Sequence, residues 1–331
     1  MVYRFSHKTY RRPLSKPLRT AHGWWAKREG IIVRLEDEHG RVGFGEIAPI
    51  PWFGTETLAE AEETCRKLGD SVDAGVLDAV PESQGCVRFA LAQARTHQET
   101  TTALLRVPVA ALLPAGREAL ALLPVKLAGG FLAFKWKVGV EPVDDELGLL
   151  DDLLAGLPAH ATLRLDANGG WTPREAGRWL ARCADRPVEF VEQPVAPAEE
   201  DAMLGLAGDY PVKLALDESV AGLAAVRRWQ GLGWTGVFVI KPALTGPLPG
   251  LADWILATKA DVVFSSAIET ALGRSAILQA VLSQPLTKRA LGFGTGGIFG
   301  DRLWDGPIIG PVADASCIGP NPGEALWNAL S

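Results

Sequence analysis

Five charged residues, Lys137, Asp166, Glu192, Asp217 and Lys241, each close a short apolar run: FLAFKWK, ATLRLD, VEFVE, VKLALD and GVFVIK. Their spacings of 29, 26, 25 and 24 residues fit one strand, a loop, a helix and the return, which reads as a repeated βα unit. In a parallel barrel built from such units the C-terminal strand ends meet at one mouth, where active sites sit. The spacing therefore predicts a ring of ionisable groups around one cavity. From Val107 onward eight apolar runs follow, the number of strands that such a barrel needs: VPVAALL, FLAFKWK, TLRLD, VEFVE, VKLALD, GVFVIK, DVVFSS and ALGFGTG.

A chain of 331 residues suits a large barrel plus an accessory domain. Residues 1–105 read as an α+β unit. VYRFSHKTY, IIVRL and RVGFGEIA suggest a three-stranded antiparallel sheet, and TETLAEAEETCRKLGD and SQGCVRFALAQARTHQE suggest helices, with Thr55 and Thr57 as cap candidates. Residues 106–310 read as the barrel, with its last helix missing or short, and residues 311–331 as a tail folding back on the first unit. The clearest helix start is Thr172-Pro173-Arg174-Glu175, a capping box with Pro at the first position, followed by a stripe of Ala176, Trp179, Leu180 and Cys183. Ser219 and Thr270 open similar segments. Between the units lies IAPIPWFGTET (47–57), whose Trp52 and Phe53 make it either a packed connector or a lid over a ligand.

An apolar share of 47% with 22% charged residues is that of a soluble globular protein, and a net charge of −6 argues against broad binding to nucleic acid or anionic membrane. The basic start (Arg4, Lys8, Arg11, Arg12, Lys16, Arg19) alternates with Tyr3, Phe5, Tyr10 and Leu14, as a solvated strand face does. No C-x-x-C pair, signal-peptide pattern or run of 18 apolar residues is present, so reduced thiols and a cytoplasmic enzyme are expected. Oligomeric state is not legible here.

Three carboxylates on adjacent strands, Asp166, Glu192 and Asp217, would repel one another in a partly dry site unless a cation joined them. Without His or Cys the donor set favours a hard divalent ion, Mg²⁺ before Mn²⁺. The alternative is a set of ion pairs with Arg164 and the lysines. Lys135 shares a strand face with Lys137, as Arg164 does with Asp166. Lys137 and Lys241 approach the cavity from opposite sides, with a carboxylate substrate between them. Lysine suits proton abstraction there when a neighbouring positive charge, here Lys135 and the metal, favours its neutral form.

K-x-K at Lys135–Lys137, LRLDANGGW at 163–171, VEQP at 191–194, LDES at 216–219 and IKP at 240–242 together resemble the muconate lactonizing subgroup of the enolase superfamily. The resemblance implies an α/β fold, a modified TIM barrel (β/α)7β with an N-terminal α+β capping domain. It also implies Asp166, Glu192 and Asp217 as Mg²⁺ ligands and Lys137 and Lys241 as the acid/base pair. Glu218 follows Asp217 and by strand alternation should point away from it, which leaves it outside the metal's contacts. GFGEIAPIPWFGTET (43–57), SSAIE (265–269) and GFGTGGIF (292–299) are similar to segments of o-succinylbenzoate synthases. That likeness implies syn-dehydration of 2-succinyl-6-hydroxy-2,4-cyclohexadiene-1-carboxylate to 2-succinylbenzoate through an enediolate, in menaquinone or phylloquinone synthesis. A dipeptide epimerase or N-acylamino acid racemase of the same superfamily is the alternative. Ser265 and Ser266, the Gly294 turn, and Trp52 and Phe53 are the candidate substrate contacts; phosphate binding is the competing reading of the glycines.

Overall fold

The computed structural model describes residues 1–20, 23–96 and 104–330; of Arg19 and Thr20 only the backbone is described. Residues 97–99 of the second expected helix, and the side chain of Arg19, therefore lie outside the described residues.

Four antiparallel strands open the chain: β1 (Val2–Thr20), β2 (Gly23–Glu36), β3 (Val42–Ile47) and β4 (Ser71–Asp73), in the order β3-β2-β1-β4. The sequence suggested three. β4 is three residues long and too short for its alternation to register, yet it pairs with the start of β1. β1 and β2 also run well past the expected ends, where Pro13 and a register shift between Pro13 and Leu18 obscure the pattern. Basic residues of β1 have partners rather than forming a free patch: Arg11 pairs with Glu29, Arg12 with Asp301, and Lys8 donates to the Trp327 carbonyl. Helices α1 (Leu58–Leu68), α2 (Ala74–Asp78) and α3 (Gly85–Arg95) accompany this sheet. Thr57 caps α1 in a capping box with Glu60, while Thr55 instead accepts from the Ile50 amide.

After β5 (Val107–Pro108), seven parallel strands form one curled sheet in sequence order: β6 (Ala110–Leu113), β7 (Ala133–Lys137), β8 (Thr162–Asp166), β9 (Val188–Glu192), β10 (Leu214–Leu216), β11 (Val237–Ile240) and β12 (Val262–Phe264). Between them run α4 (Glu118–Ala128), α5 (Val143–Ala155), α6 (Pro173–Cys183), α7 (Glu200–Asp209), α8 (Leu223–Gly231), the short α9 (Pro242–Thr245) with α10 (Leu248–Thr258), and then α11 (Ala271–Leu282). The Thr172 capping box and its buried stripe stand as expected, and Thr270 caps α11. Ser219 does not cap α8; Gly222 holds that position, because a 3-10 turn intervenes.

The eighth run does not form a full strand. Leu291 bridges Val109 on one edge and Gly292 bridges Ser265 on the other, which closes the barrel with two residues. Glycine makes this closure possible. A Cβ on Gly292 would lie 2.6 Å from Ser265 Oγ, and one on Gly294 would lie 2.5 Å from the Ala110 carbonyl oxygen. Beyond it come α12 (Arg302–Asp305), β13 (Val312–Ala313), which pairs antiparallel with β5, and α13 (Gly323–Ala329). α13 lies on β3, with Gly323 against the Phe44 ring.

Strand alternation divides the barrel into two environments. Phe134, Trp136, Leu163 and Leu165 pack outward on the helices, whereas Phe190, Ala215, Val237, Val239 and Val263 fill the interior. Charge seals the lower end. Arg164 Nε lies 2.6 Å from Glu189, Arg289 pairs with both Glu189 and Asp261, and both guanidinium groups lie over the Phe190 ring. Burial opposes ionisation of Glu189, but hydrogen bonds from Arg164 and Arg289 hold its carboxyl below the usual range, and those from Arg289 do the same for Asp261. Among the described residues no helix is long and apolar enough to cross a membrane.

Two predictions follow from this closure. Gly294→Ala should destabilise the fold by about 1–3 kcal/mol through overpacking at the seam, measured as a lower denaturant midpoint. Glu189 and Asp261 have depressed folded pKa values, so the stability they give is present above their unfolded values near ~4 and is lost as pH falls through the folded ones. Denaturation midpoints taken from pH 7 down to pH 3 should fall less steeply in Arg289→Gln than in the parent.

Candidate active site

Parallel register brings the ring together. Lys137 lies opposite Asp166, and Asp166 opposite Glu192, at the C-terminal ends of β7, β8 and β9; Asp217 and Lys241 directly follow β10 and β11. Asp166, Glu192 and Asp217 are all buried. Lys135 Nζ bridges Asp166 at 2.8 Å and Glu192 at 2.6 Å. Lys137 Nζ shares the same Asp166 oxygen at 2.5 Å and donates to Asn168 Oδ1 at 2.7 Å. Lys241 Nζ pairs with Asp217 and lies 4.3 Å from the centre of the Phe53 ring.

The electrostatics of this cluster are unbalanced. Burial, then the charges of Asp166 and Asp217, push Glu192 up to about 8. Burial opposes ionisation of Asp166 too, but Lys135 and Lys137 hold its carboxyl well below the usual range. Lys135 is held above the ordinary amine range by Asp166, Glu192 and Asp217 against the effect of burial. An all-oxygen set under mutual repulsion fits a hard divalent cation. Among the described residues no three acidic groups converge tightly enough to form a finished metal cage. Lysine ammonium groups now supply the counter-charge, so ligation would require them to yield their carboxylate oxygens.

Three residues join the site that sequence reasoning did not place there: Asn168 and Gln193, which it passed over, and Glu218, which it left outside. Asn168, at φ +47°, stands between Lys137 and Glu218, donating to Glu218 Oε1 at 2.8 Å. Glu218 is buried rather than turned away from the ring. Strand alternation ends at Leu216 and the chain enters a 3-10 turn at Glu218, so period-2 reasoning no longer applies there. Its carboxyl is pushed up to about 7 by burial and by Asp217 and Asp166, and its Oε2 has no hydrogen-bond partner. Gln193, fully buried at φ +38°, accepts from the Asp217 and Ser219 amides and so fixes the turn after β10. The sequence signals were present: all three lie within two residues of a ring carboxylate.

Other expected contacts divide. Arg164 does not join the ring. It starts in the same layer as Lys135 but turns to the floor, towards Glu189 and the Ala290 carbonyl. Ser265 Oγ donates to the Gly292 carbonyl, and Ser266 Oγ donates to Glu269. Gly294 lies on the Ala110 backbone and lines a groove with Lys126 and Phe131, so its observed part is in closing the barrel. Trp52 meets Trp25 edge to face at 5.0 Å, while its neighbour Phe53 reaches Lys241. The 47–57 segment therefore touches the ring.

Comparison with known proteins agrees with this architecture. The family model described as "Enolase C-terminal domain-like" matches residues 119–295, and that described as "MenC, N-terminal domain" matches residues 6–98. An o-succinylbenzoate synthase from Thermosynechococcus vestitus is 41% identical over 337 residues, covering 99% of each chain. A crystal structure of o-succinylbenzoate synthase from Thermosynechococcus elongatus, with Mg in its active site, superposes with a TM-score of 0.87 at 38% identity, covering 98% of this chain and 99% of that one. The L-Ala-D/L-Glu epimerase of Bacillus subtilis shares the fold at a TM-score of 0.71 and 21% identity, over 88% of this chain and 89% of its own. With a relative this similar along its whole length, and with both family models matched, the chain belongs to the o-succinylbenzoate synthase family of enolase-superfamily enzymes.

Proposed function

We propose that this enzyme is an o-succinylbenzoate synthase that dehydrates 2-succinyl-6-hydroxy-2,4-cyclohexadiene-1-carboxylate to 2-succinylbenzoate, on the route to menaquinone or phylloquinone. The observation that carries the reading is a pair of lysines, Lys137 and Lys241, flanking three buried carboxylates at one barrel mouth. Family membership supports the choice of substrate. Asp166, Glu192 and Asp217 would hold Mg²⁺, or the chemically similar Mn²⁺, and the bound ion would supply Lewis-acid charge to the substrate carboxylate.

The rest of the chemistry belongs to the side chains. Neutral Lys137 takes the proton from the ring carbon that bears the carboxylate, and the C–H electron pair moves towards the carboxylate oxygens. Lys135 shares the Asp166 oxygen with Lys137, so that oxygen stays paired when Lys137 gives up its own contact. The ring then expels its hydroxyl on the same face. The C–O electron pair leaves with the oxygen, and Lys137 returns its proton to release water. Lys241, as a cation on the opposite side, stabilises the negative charge that develops in between. Trp52 and Phe53 exclude water from above, and the hydroxyls of Ser265 and Ser266 border the succinyl arm.

Lys137→Ala should lower kcat by about 10²–10⁴-fold while Mg²⁺ affinity, measured by calorimetry, stays within about threefold; near-parental turnover would remove Lys137 from the mechanism. A substrate panel tests the assignment itself. The cyclohexadiene should yield 2-succinylbenzoate, and dipeptides or N-acyl amino acids should show little α-proton exchange in D₂O. Exchange and racemisation of the amino-acid substrates without dehydration would move the enzyme to the epimerase or racemase reading.

A further inference from the structure

Arg28 lies on β2, in the first unit, and is buried at 2% exposure. Among the described residues no carboxylate stands within ion-pair distance of it. Its guanidinium carries five N–H groups, and five backbone carbonyls take them. Nε donates to Ile268 at 3.0 Å, Nη1 to Glu29 at 3.0 Å and Pro49 at 2.7 Å, and Nη2 to Ala48 and, at 3.4 Å, to Ala267. Two of these acceptors begin the segment that carries Trp52 and Phe53. Two others belong to the loop that follows Ser265 and Ser266. One planar fork thus ties together the two segments that border the substrate.

Ile268 gives this tie its significance. It is a β-branched residue at φ +58°, a left-handed conformation that such residues rarely adopt and that persists where the surroundings over-determine it. Both of its peptide groups are held: its N–H donates to Ser266 Oγ at 2.9 Å and its carbonyl accepts from Arg28. A second contact pins the same loop from the first unit. Glu46, fully buried, accepts from the Thr270 hydroxyl and amide and from the Gly273 amide, at the start of α11. Strain, a complete set of donors and a direct line to Ser266 meet at one side chain.

We propose that Arg28 is a positioning residue that sets substrate affinity, acting through the Ile268 carbonyl and Ser266 on one side and through the Ala48 and Pro49 carbonyls on the other. The inference rests on the reading that Ser265, Ser266, Trp52 and Phe53 border the substrate. Lysine keeps the charge at this position but cannot span five carbonyls with one ammonium group. Arg28→Lys should therefore raise KM for the cyclohexadiene about tenfold with kcat within about threefold of the parent. Glycine holds the left-handed conformation without a clamp. Arg28→Lys combined with Ile268→Gly should accordingly recover part of the lost affinity, with KM about threefold or more below that of Arg28→Lys, because the glycine relieves the 268 side and leaves the Ala48 and Pro49 side loosened. Loss of kcat at unchanged KM, KM within twofold of the parent in Arg28→Lys, or a double variant no better than Arg28→Lys would each overturn the proposal.

Amide hydrogen exchange decides the same point without any substrate. In Arg28→Lys, residues 48–54 and 266–270 should exchange faster together, while residues 133–137 stay as in the parent. Acceleration in neither segment, or in only one, would overturn the proposal. A parent enzyme that binds Mg²⁺ but does not dehydrate the cyclohexadiene would refute the proposed reaction, and the exchange result would still stand or fall by itself.

Discussion

Mutual repulsion among Asp166, Glu192 and Asp217 is the constraint around which this molecule is arranged. Three carboxylates brought out of water at adjacent strand ends cost more than packing can return, unless positive charge meets them. Lys135, Lys137 and Lys241 meet it here, each within ion-pair distance of a ring carboxylate. The same arrangement leaves Glu192 with a raised pKa, the mark of a cluster that a divalent cation would relieve. The lysines and the ring carboxylates are thus one electrostatic system.

Beneath the ring the barrel is closed by different means. Phe190, Arg164, Arg289 and Glu189 form a floor in which guanidinium groups lie on an aromatic ring and satisfy carboxylates. Small side chains, Ala215, Val237, Val239 and Val263, occupy the interior between the two charged layers. The barrel wall needs little bulk inside, because its outer faces pack on the helices with Trp136, Trp179 and their neighbours.

What could be read in the sequence followed local periodicity. Strand ends marked by a charge, the Thr172 capping box and the Thr270 cap were legible because each depends on neighbours a few residues away. Arg164 was not, because alternation assigns it a face but not a direction along the barrel axis, and Glu189 draws it downwards. Glu218 was misplaced where a 3-10 turn ended the alternation, and Ser219 for the same reason. The eighth strand was recognised as an apolar run, whereas its reduction to two bridging residues depends on how closely Gly292 and Gly294 approach neighbouring backbone. Arg28 gave no sign at all: its acceptors are carbonyls, which every residue has, and the distant ones become neighbours only in the folded chain.

Those acceptors also bear on the order of assembly. Arg28 and the Ile268 carbonyl are 240 residues apart in the chain, and Glu46 and Thr270 are 224 apart. During synthesis from the N-terminus, a guanidinium and a carboxylate meant for burial leave the ribosome long before the last of the residues that satisfy them. At ~5–20 residues per second that interval lasts on the order of 10 seconds or more. Until α11 emerges, the amino-terminal sheet therefore carries two charges at the face where it will dock, and these keep that face hydrated. Charge that specifies the finished joint thus also guards the unfinished one against premature association.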